Sequence, residues 1–164
     1  ELALAKNAGA GALAHEFWHA FDHYIAEKAF DIGDRSGPQS EIMFASNCWL
    51  NDECPLPHPL NDRLMDIFST ALLNGDKKDK HDYVTRSVKV DMSLSQRYFS
   101  LPTEMMARAF EAAIESCPDI NNSYLVSGTT KPDTQLIYPD HTHRIEIYHT
   151  LQSYFVTLGR ALTK

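Results

Sequence analysis

The sequence predicts one α+β domain over residues 1–164 in which helices predominate. A chain of 164 residues is long enough to bury a hydrophobic core, and 43% hydrophobic with 23% charged residues is typical of globular proteins. Apolar residues recur three and four positions apart in four segments, which indicates amphipathic helices. Residues 2–5 are short and apolar and precede a glycine-rich stretch, which favours the end of a strand. We therefore expect a small or incomplete sheet beside the helices.

The first predicted helix spans residues 10–30. Two glycines favour a break just before it, because glycine in a helix interior costs about 1 kcal/mol relative to alanine. One face carries His15, His19 and Asp22. The adjoining face is an apolar stripe with helical spacing, made of Leu13, Phe17, Ala20, Phe21, Tyr24 and Ile25.

The middle of the chain is predicted to contain a loop, a helix and an extended segment. Residues 31–59 are rich in glycine and proline, which predicts a loop. Residues 61–73 have helical spacing and end at an Asn-Gly pair, which predicts a second helix. Three valines within residues 83–91 favour an extended segment.

A further helix is predicted to begin at Pro102, with Thr103 as its N-cap. Its apolar side faces the core, and a last helix after residue 144 repeats the same pattern. The polar side forms one stripe, which a simple interpretation would leave in solvent. That stripe consists of Glu104, Arg108, Glu111 and Glu115.

Charge and hydropathy argue against two classes of partner. Fifteen basic residues against twenty-two acidic ones give a net charge of −7, so the chain offers no general footprint for nucleic acid. No apolar run approaches the roughly 20 residues that cross a bilayer, and no targeting signal opens the chain, which predicts a soluble protein without a membrane partner. Because the first residue is Glu1 rather than methionine, we expect a domain cut from a longer protein.

The three cysteines are not predicted to have a function. Cys48, Cys54 and Cys117 are odd in number and lack the C-x-x-C spacing of a zinc ribbon. We expect buried or incidental thiols in a reducing compartment, and a bridge between Cys48 and Cys54 is the less favoured alternative.

The motif H-E-x-x-H occupies residues 15–19 on the first predicted helix. Residues four apart lie one turn above each other, so His15 and His19 point the same way and can bind one metal ion. Two imidazoles suit Zn²⁺ and leave room for a third protein ligand and a water. Glu16 is then placed to accept the proton of that water. The alternative is a polar patch on an amphipathic helix with no metal.

Other histidines are less well placed for this metal. His23 lies one further turn along the helix, too far to reach an ion held by His15 and His19. His58 lies between two prolines and is expected in a surface loop. His141 and His143 flank a turn, where they either line the cleft or, as we favour, face solvent.

A two-histidine zinc site needs a carboxylate from elsewhere in the chain. The first turn of the helix predicted after Pro102 supplies one in Glu104, which we predict as the third ligand. Asp22, three residues after His19, is equally compatible with a supporting position beside the metal and with solvent exposure.

Three blocks of sequence together resemble a known family. Residues 5–22, residues 98–111, and residues 124–126 with Tyr138-Pro139 and Arg144 look like the first large polyvalent protein-associated domain. That family is a zincin-like metallopeptidase module in large multidomain proteins of phages and conjugative or other mobile elements. The resemblance implies the same fold here, with an H-E-x-x-H active-site helix. It also implies a bacterial or phage-encoded protein, either cytoplasmic or delivered into a host cell.

The same pattern is similar to the gluzincin-like catalytic domain of anthrax lethal factor. That likeness also implies Glu104 as the third zinc ligand, and it implies a catalytic tyrosine shortly before it. Tyr98 is the nearest match, although its spacing to Glu104 differs by one residue. Trp18 stands where these families usually have glycine, and we expect it to narrow the space around the metal.

The sequence thus predicts a zinc-dependent endopeptidase with one Zn²⁺ and a protein or peptide substrate. Glu16 would be the general base, and Tyr98 or Arg144 would hydrogen-bond the oxyanion. One alternative is a zincin-like binding module that does not cleave, which Trp18 favours. Another is a toxin or effector protease that acts on one host protein, and hydrolysis of a non-peptide amide also stays open. Four residues are expected to orient the ligands, namely Asp22, Arg108, Glu111 and Arg144.

Overall fold

The computed structural model describes residues 11–31 and 43–163. In these two ranges the chain forms six α-helices and one short 3-10 helix, and β structure is limited to two isolated bridges. The prediction of a predominantly helical chain is confirmed. The strand predicted at residues 2–5 lies outside the described residues. The helices are α1 Leu13–Ala29, α2 Ala45–Leu50, α3 Pro59–Leu72, α4 Asp82–Leu94, α5 Pro102–Glu115 and α6 His141–Leu162, and the 3-10 helix is Pro132–Thr134.

Helix α4 corrects the extended segment predicted for residues 83–91. Tyr83, Ser87 and Asp91 are all buried and lie four residues apart, which is the spacing of one helix face. His81 caps the helix, because its Nδ1 accepts a hydrogen bond from the Tyr83 amide at 3.1 Å. The valines misled the prediction, since β propensity depends on the surroundings in the fold.

Two smaller predictions are also corrected. Residues 31–59 were expected to be a loop, but α2 forms within their described part. Helix α5 begins at Pro102 as predicted, whereas its N-cap is Leu101 rather than Thr103. Proline suits this first position because its missing N–H would have no partner in the first turn.

Helix α5 is the centre of the fold. It packs against α1, α2, α3 and α6, and nine consecutive residues from Met105 to Ala113 are buried. That run includes Arg108 and Glu111, so the middle of the polar stripe faces the interior of the protein rather than solvent. No helix in the two described ranges is long and apolar enough to cross a membrane.

Trp18 lies in this core and not over the H-E-x-x-H motif. Its side chain is fully buried between Phe21 and Phe110, with ring centroids at 5.3 Å and 5.2 Å. The expectation that Trp18 narrows the space around a metal is therefore wrong. Its ring instead packs α1 against α5 through the contact with Phe110.

The cysteines form no disulfide bond among the described residues. Cys48, Cys54 and Cys117 are all free of disulfide bonds, and Cys48 and Cys117 are buried. The less favoured bridge between Cys48 and Cys54 is not formed.

His143 is buried, which corrects the expectation of a solvent-facing side chain. Its ring stacks on His81 with centroids 3.6 Å apart, and its Nε2 donates a hydrogen bond to the Thr70 carbonyl at 2.8 Å. Burial lowers the pKa of His143 from 6.5 to about 4, although the bond to Thr70 opposes the change. His143 is therefore neutral in the folded protein at neutral pH.

The neutral state of His143 predicts a loss of stability in mild acid. Because the folded pKa lies below the unfolded value of 6.5, the unfolded chain binds more protons as the pH falls from 6.5 towards 4. This single group should lower the free energy of unfolding by about 2 kcal/mol between pH 7 and pH 5. Urea denaturation of the wild type and of His143→Gln at both pH values measures this change in the free energy of unfolding. Glutamine is chosen because it keeps a donor for the Thr70 carbonyl. His141→Gln, an exposed change on the same helix, is the control. An equal pH dependence in wild type and His143→Gln would contradict the assignment.

Candidate metal centre

Three side chains from two helices converge at one point. His15 and His19 lie one turn apart on α1, and their Nε2 atoms are 3.1 Å apart. Glu104 in the first turn of α5 faces both, with Oε2 at 3.3 Å from His15 Nε2 and Oε1 at 3.2 Å from His19 Nε2. One possible ligand atom from each residue lies within 4.8 Å of the others. The structure thus brings together the three residues that the sequence predicted as ligands.

The separations between these atoms fit a small divalent cation. A tetrahedral zinc site with bonds of about 2.0–2.1 Å holds its ligand atoms roughly 3.3–3.4 Å apart, close to the three distances observed here. Glu104 Oε2 is also buried without a hydrogen-bond partner among the described residues. A buried carboxylate oxygen normally has a partner, and a metal ion would provide one.

Glu111 orients the first histidine of the cluster. Its Oε2 lies 2.9 Å from Nδ1 of His15, and this carboxylate is 5% exposed. With Nδ1–H donated to Glu111, the lone pair of His15 is at Nε2 and points towards His19 and Glu104. Tyr138 donates a second hydrogen bond to the same oxygen at 3.0 Å.

The electrostatics of the cluster favour a positive charge. Burial opposes the charged form of His15, but the contacts with Glu104 and Glu111 and the charges of both raise its pKa to about 9. Burial likewise opposes the charge of Glu104, yet contacts with His15, His19 and Tyr98 hold its pKa well below the usual range. The carboxylates therefore create a deficit of positive charge, which a proton fills in the absence of metal and which a cation could fill instead.

Tyr98 lies beside the cluster, just before α5. Burial, its contact with Glu104, and the charges of Glu104 and Glu16 raise its pKa to about 12. The phenol is thus protonated at neutral pH and can donate a hydrogen bond. Tyr98 is 43% exposed. Glu16 follows His15 on α1 and is half-buried.

Asp91 at the end of α4 holds the backbone on either side of Tyr98. Its Oδ1 accepts the amides of Tyr98 at 3.2 Å and Phe99 at 2.8 Å, while Oδ2 accepts the Ser100 amide at 2.8 Å and the Ser100 hydroxyl at 2.6 Å. Burial opposes ionisation of Asp91, but these hydrogen bonds outweigh it and lower the pKa. One ionised carboxylate therefore fixes the approach of the chain to α5.

Arg108 holds the same segment from the other side. Its guanidinium is buried, donates to the carbonyls of Phe99 and Ile137, and lies 3.8 Å from Glu104 Oε2. Arg108 thus connects Glu104 with the backbone next to Tyr98.

Asp22 is buried, so the solvent-exposed position that was one of its two alternatives is wrong. It is fully buried and accepts hydrogen bonds from the Ser46 amide at 2.8 Å and the Ser46 hydroxyl at 2.6 Å. Burial raises the pKa of Asp22 to about 6, although the bonds from Ser46 and the charge of His19 oppose this. By fixing the start of α2, Asp22 also places Phe44, whose ring lies edge-on to His19 at 6.4 Å.

Arg144 is not part of the site, which corrects its assignment as an oxyanion donor and as a residue that orients the ligands. It is buried and donates to Thr129 and to the Pro139 carbonyl, with Glu115 at 3.9 Å. Glu115 lies eleven residues after Glu104, about 16 Å along α5. Arg144 therefore contacts the end of α5 opposite to Glu104.

The other histidines lie outside the cluster, as expected from their spacing. His23 is exposed next to Phe44, and His58 is exposed and caps α3 by accepting the Leu60 amide. His141 is exposed at the start of α6.

Comparison with known proteins matches the second half of the chain to a family. Residues 90–162 match the model of the large polyvalent protein-associated domain 1. The expected resemblance to this family is confirmed over that range. The matched range contains Tyr98, Glu104, Arg108 and Glu111, whereas the H-E-x-x-H motif lies upstream of it. No curated protein and no solved structure matches the chain significantly.

Asp91 and Tyr138 were missed by the sequence reasoning. Both act through contacts with residues distant in the sequence or across a turn. The block that contains Tyr138 indicates a family but assigns this residue no role, and no motif contains Asp91. The one available signal for Asp91 is its position shortly before a Ser-rich turn, where aspartate often accepts backbone amides.

We expect Asp91→Asn to destabilise the protein by about 1–3 kcal/mol. Asparagine has one acceptor oxygen in place of two, so at least one of the part-buried amides at residues 98–100 loses its acceptor. Asp82→Asn is a matched control on the same helix. Asp82 is mostly exposed, and loss of its ion pair with Arg86 should change stability by less than about 0.5 kcal/mol. Urea denaturation midpoints measure both. Equal effects of the two substitutions would contradict the role assigned to Asp91.

Proposed function

We propose that this chain is a zinc-dependent endopeptidase of zincin-like type. The observation that carries the proposal is the convergence of His15 Nε2, His19 Nε2 and the Glu104 carboxylate, with Glu104 Oε2 buried and lacking a hydrogen-bond partner among the described residues. Two imidazoles and one carboxylate are the donor set of catalytic zinc sites that keep one position open.

The three ligands would hold one zinc ion. When bound in such a site, zinc lowers the pKa of a water to about 7 and polarises a carbonyl oxygen. Glu16 is adjacent to a ligand on the same helix, so its carboxylate is available to accept the proton from the attacking water. The same carboxyl then donates that proton to the nitrogen of the leaving amine, which completes peptide hydrolysis.

Tyr98 would act as a hydrogen-bond donor to the oxyanion. Its raised pKa keeps the phenol protonated through neutral pH, and the residue is partly exposed. Such a donor stabilises charge that develops during the reaction. With Arg144 remote from the cluster, Tyr98 is the remaining candidate of the two for this role.

Supporting side chains favour a site that is rigid before substrate arrives. Glu111 fixes the tautomer of His15, and Arg108 lies 3.8 Å from Glu104. Asp22 accepts the Ser46 amide at the start of α2, next to the N-cap residue Phe44. Preorganised ligands and donors lower the cost of reaching the transition state, since they need no rearrangement. Trp18 was expected to narrow the space around the metal and so to favour a binding module that does not cleave. Because Trp18 lies in the core, it does not favour that alternative.

The substrate we propose is a protein or peptide. The net charge of −7 argues against nucleic acid. The matching family is described as a domain associated with large polyvalent proteins. We propose accordingly that the chain is the peptidase module of a larger protein encoded by a phage or mobile element.

Zinc content and cleavage test the proposal together. We expect about one zinc per chain in the wild type and in Glu16→Gln, because the base is not a ligand. We expect loss of stoichiometric zinc in Glu104→Ala. Cleavage of an unfolded protein substrate should fall at least about 100-fold in Glu16→Gln, the scale of general-base catalysis. Metal analysis of the purified protein and a gel-based cleavage assay provide the measurements.

The matched control is Glu27→Gln, which makes the same change at an exposed position of α1. It should keep both zinc and cleavage. A wild-type protein that binds no stoichiometric zinc would overturn the proposal. Full zinc occupancy with cleavage unchanged in Glu16→Gln would overturn the role of the base.

A further inference from the structure

A short segment between the 3-10 helix and α6 is held by an unusual set of hydrogen bonds. Three consecutive carbonyls, at residues 137–139, each accept from a different arginine. The three arginines belong to α4, α5 and α6, so three helices fix a segment that has no regular secondary structure. The bonds run from Arg108 Nε to Ile137 O at 3.0 Å, from Arg86 Nη2 to Tyr138 O at 3.1 Å and from Arg144 Nη2 to Pro139 O at 2.9 Å.

The middle residue of this segment points its hydroxyl at the support of the metal cluster. Tyr138 donates to Glu111 Oε2 at 3.0 Å, and His15 Nδ1 lies 2.9 Å from that same oxygen. Glu111 is buried, so few alternative partners compete for its carboxylate. Two donors, one from the segment and one from the predicted zinc ligand, thus meet at a single oxygen atom.

We propose that Tyr138 is a positioning residue for His15 and acts through Glu111. The proposal rests on the zinc site described above. A carboxylate with a single partner can rotate about its last torsion, whereas one that accepts two directed hydrogen bonds at the same oxygen is held in one orientation. Glu111 held in this way keeps the His15 imidazole aligned and keeps its Nε2 lone pair directed at the other ligands.

The three arginines explain how a residue in a loop can have such a role. Hydrogen bonds from charged donors are shorter and stronger than those between neutral groups. Arg108 and Arg144 are themselves buried, which fixes their positions relative to α5 and α6. The backbone of Tyr138 is therefore as well located as the helices that carry the ligands, and a site supported in this way holds its geometry.

The experiment is a set of zinc dissociation constants, measured by competition with a chromophoric chelator. Tyr138→Phe removes only the hydroxyl and should weaken zinc binding about tenfold, the lower end of the range for groups that support a metal ligand. In a Glu111→Gln background, Tyr138→Phe should change the constant less than about twofold, because its route to His15 is already altered. Tyr148→Phe is the matched control. Its hydroxyl contacts Cys117 and not the cluster, so the constant should stay within about twofold.

Arg86→Gln provides a second test that leaves Tyr138 in place. It removes one of the three charged donors and should weaken zinc binding about two- to threefold, again only when Glu111 is present. Either variant is sufficient if the other does not fold.

The outcomes separate the inference from the proposed function. Wild-type zinc binding with an unchanged constant in Tyr138→Phe overturns the inference alone. An equal loss in the wild-type and Glu111→Gln backgrounds also overturns it, since an effect of packing would not depend on Glu111. A wild-type protein that binds no zinc overturns both the inference and the proposed function. A tenfold loss that disappears in the Glu111→Gln background supports the positioning role.

Discussion

The packing of Trp18 against Phe110 is the contact on which the arrangement of the site depends. It joins α1 to α5 through two large buried rings whose centroids lie 5.2 Å apart. His19 follows Trp18 directly on one helix, and Glu104 lies six residues, about 9 Å, before Phe110 on the other. Because helices are rigid over this length, the contact sets the distance between the imidazoles and the carboxylate. The residue that seemed the most disruptive part of the motif is therefore the residue that aligns it.

A second constraint is the burial of charge on α5. Arg108 and Glu111 lie within its buried run, with Glu104 just before it, and buried charges are costly unless each has a close partner. Arg108 donates to backbone carbonyls and Glu111 accepts from two donors, whereas one oxygen of Glu104 has no hydrogen bond among the described residues. The charge of Glu104 is therefore compensated by its ion pairs with the two histidines and with Arg108.

Residues whose position follows from local periodicity are placed as the sequence predicts. His15 and His19 lie on one helix face, and Glu104 in the first turn of α5 faces both of them. Prediction from the sequence was wrong or silent where a residue's role depends on contacts between elements that are far apart in the sequence. Tyr138 is 27 residues from the carboxylate that it contacts. The core side of α1 could not be distinguished from the metal side at Trp18, and His143 could not be recognised as buried without knowing that α3 and α4 cover it.

Helix α4 is joined to the rest of the protein in a different way from the other long helices. It packs sparsely against the other helices, and its connections are largely hydrogen bonds: Tyr83 to the Met105 carbonyl, Arg86 to the Tyr138 carbonyl, and Asp91 to the turn after the helix. Polar connections of this kind can be exchanged for water at modest cost, so a partial opening of the molecule would begin here. Such an opening would release the backbone around Tyr98 and the anchor of Tyr138 together, while the tryptophan-centred core kept both histidines in place. The two histidines of the proposed metal centre would then keep their places, whereas the groups around them would not.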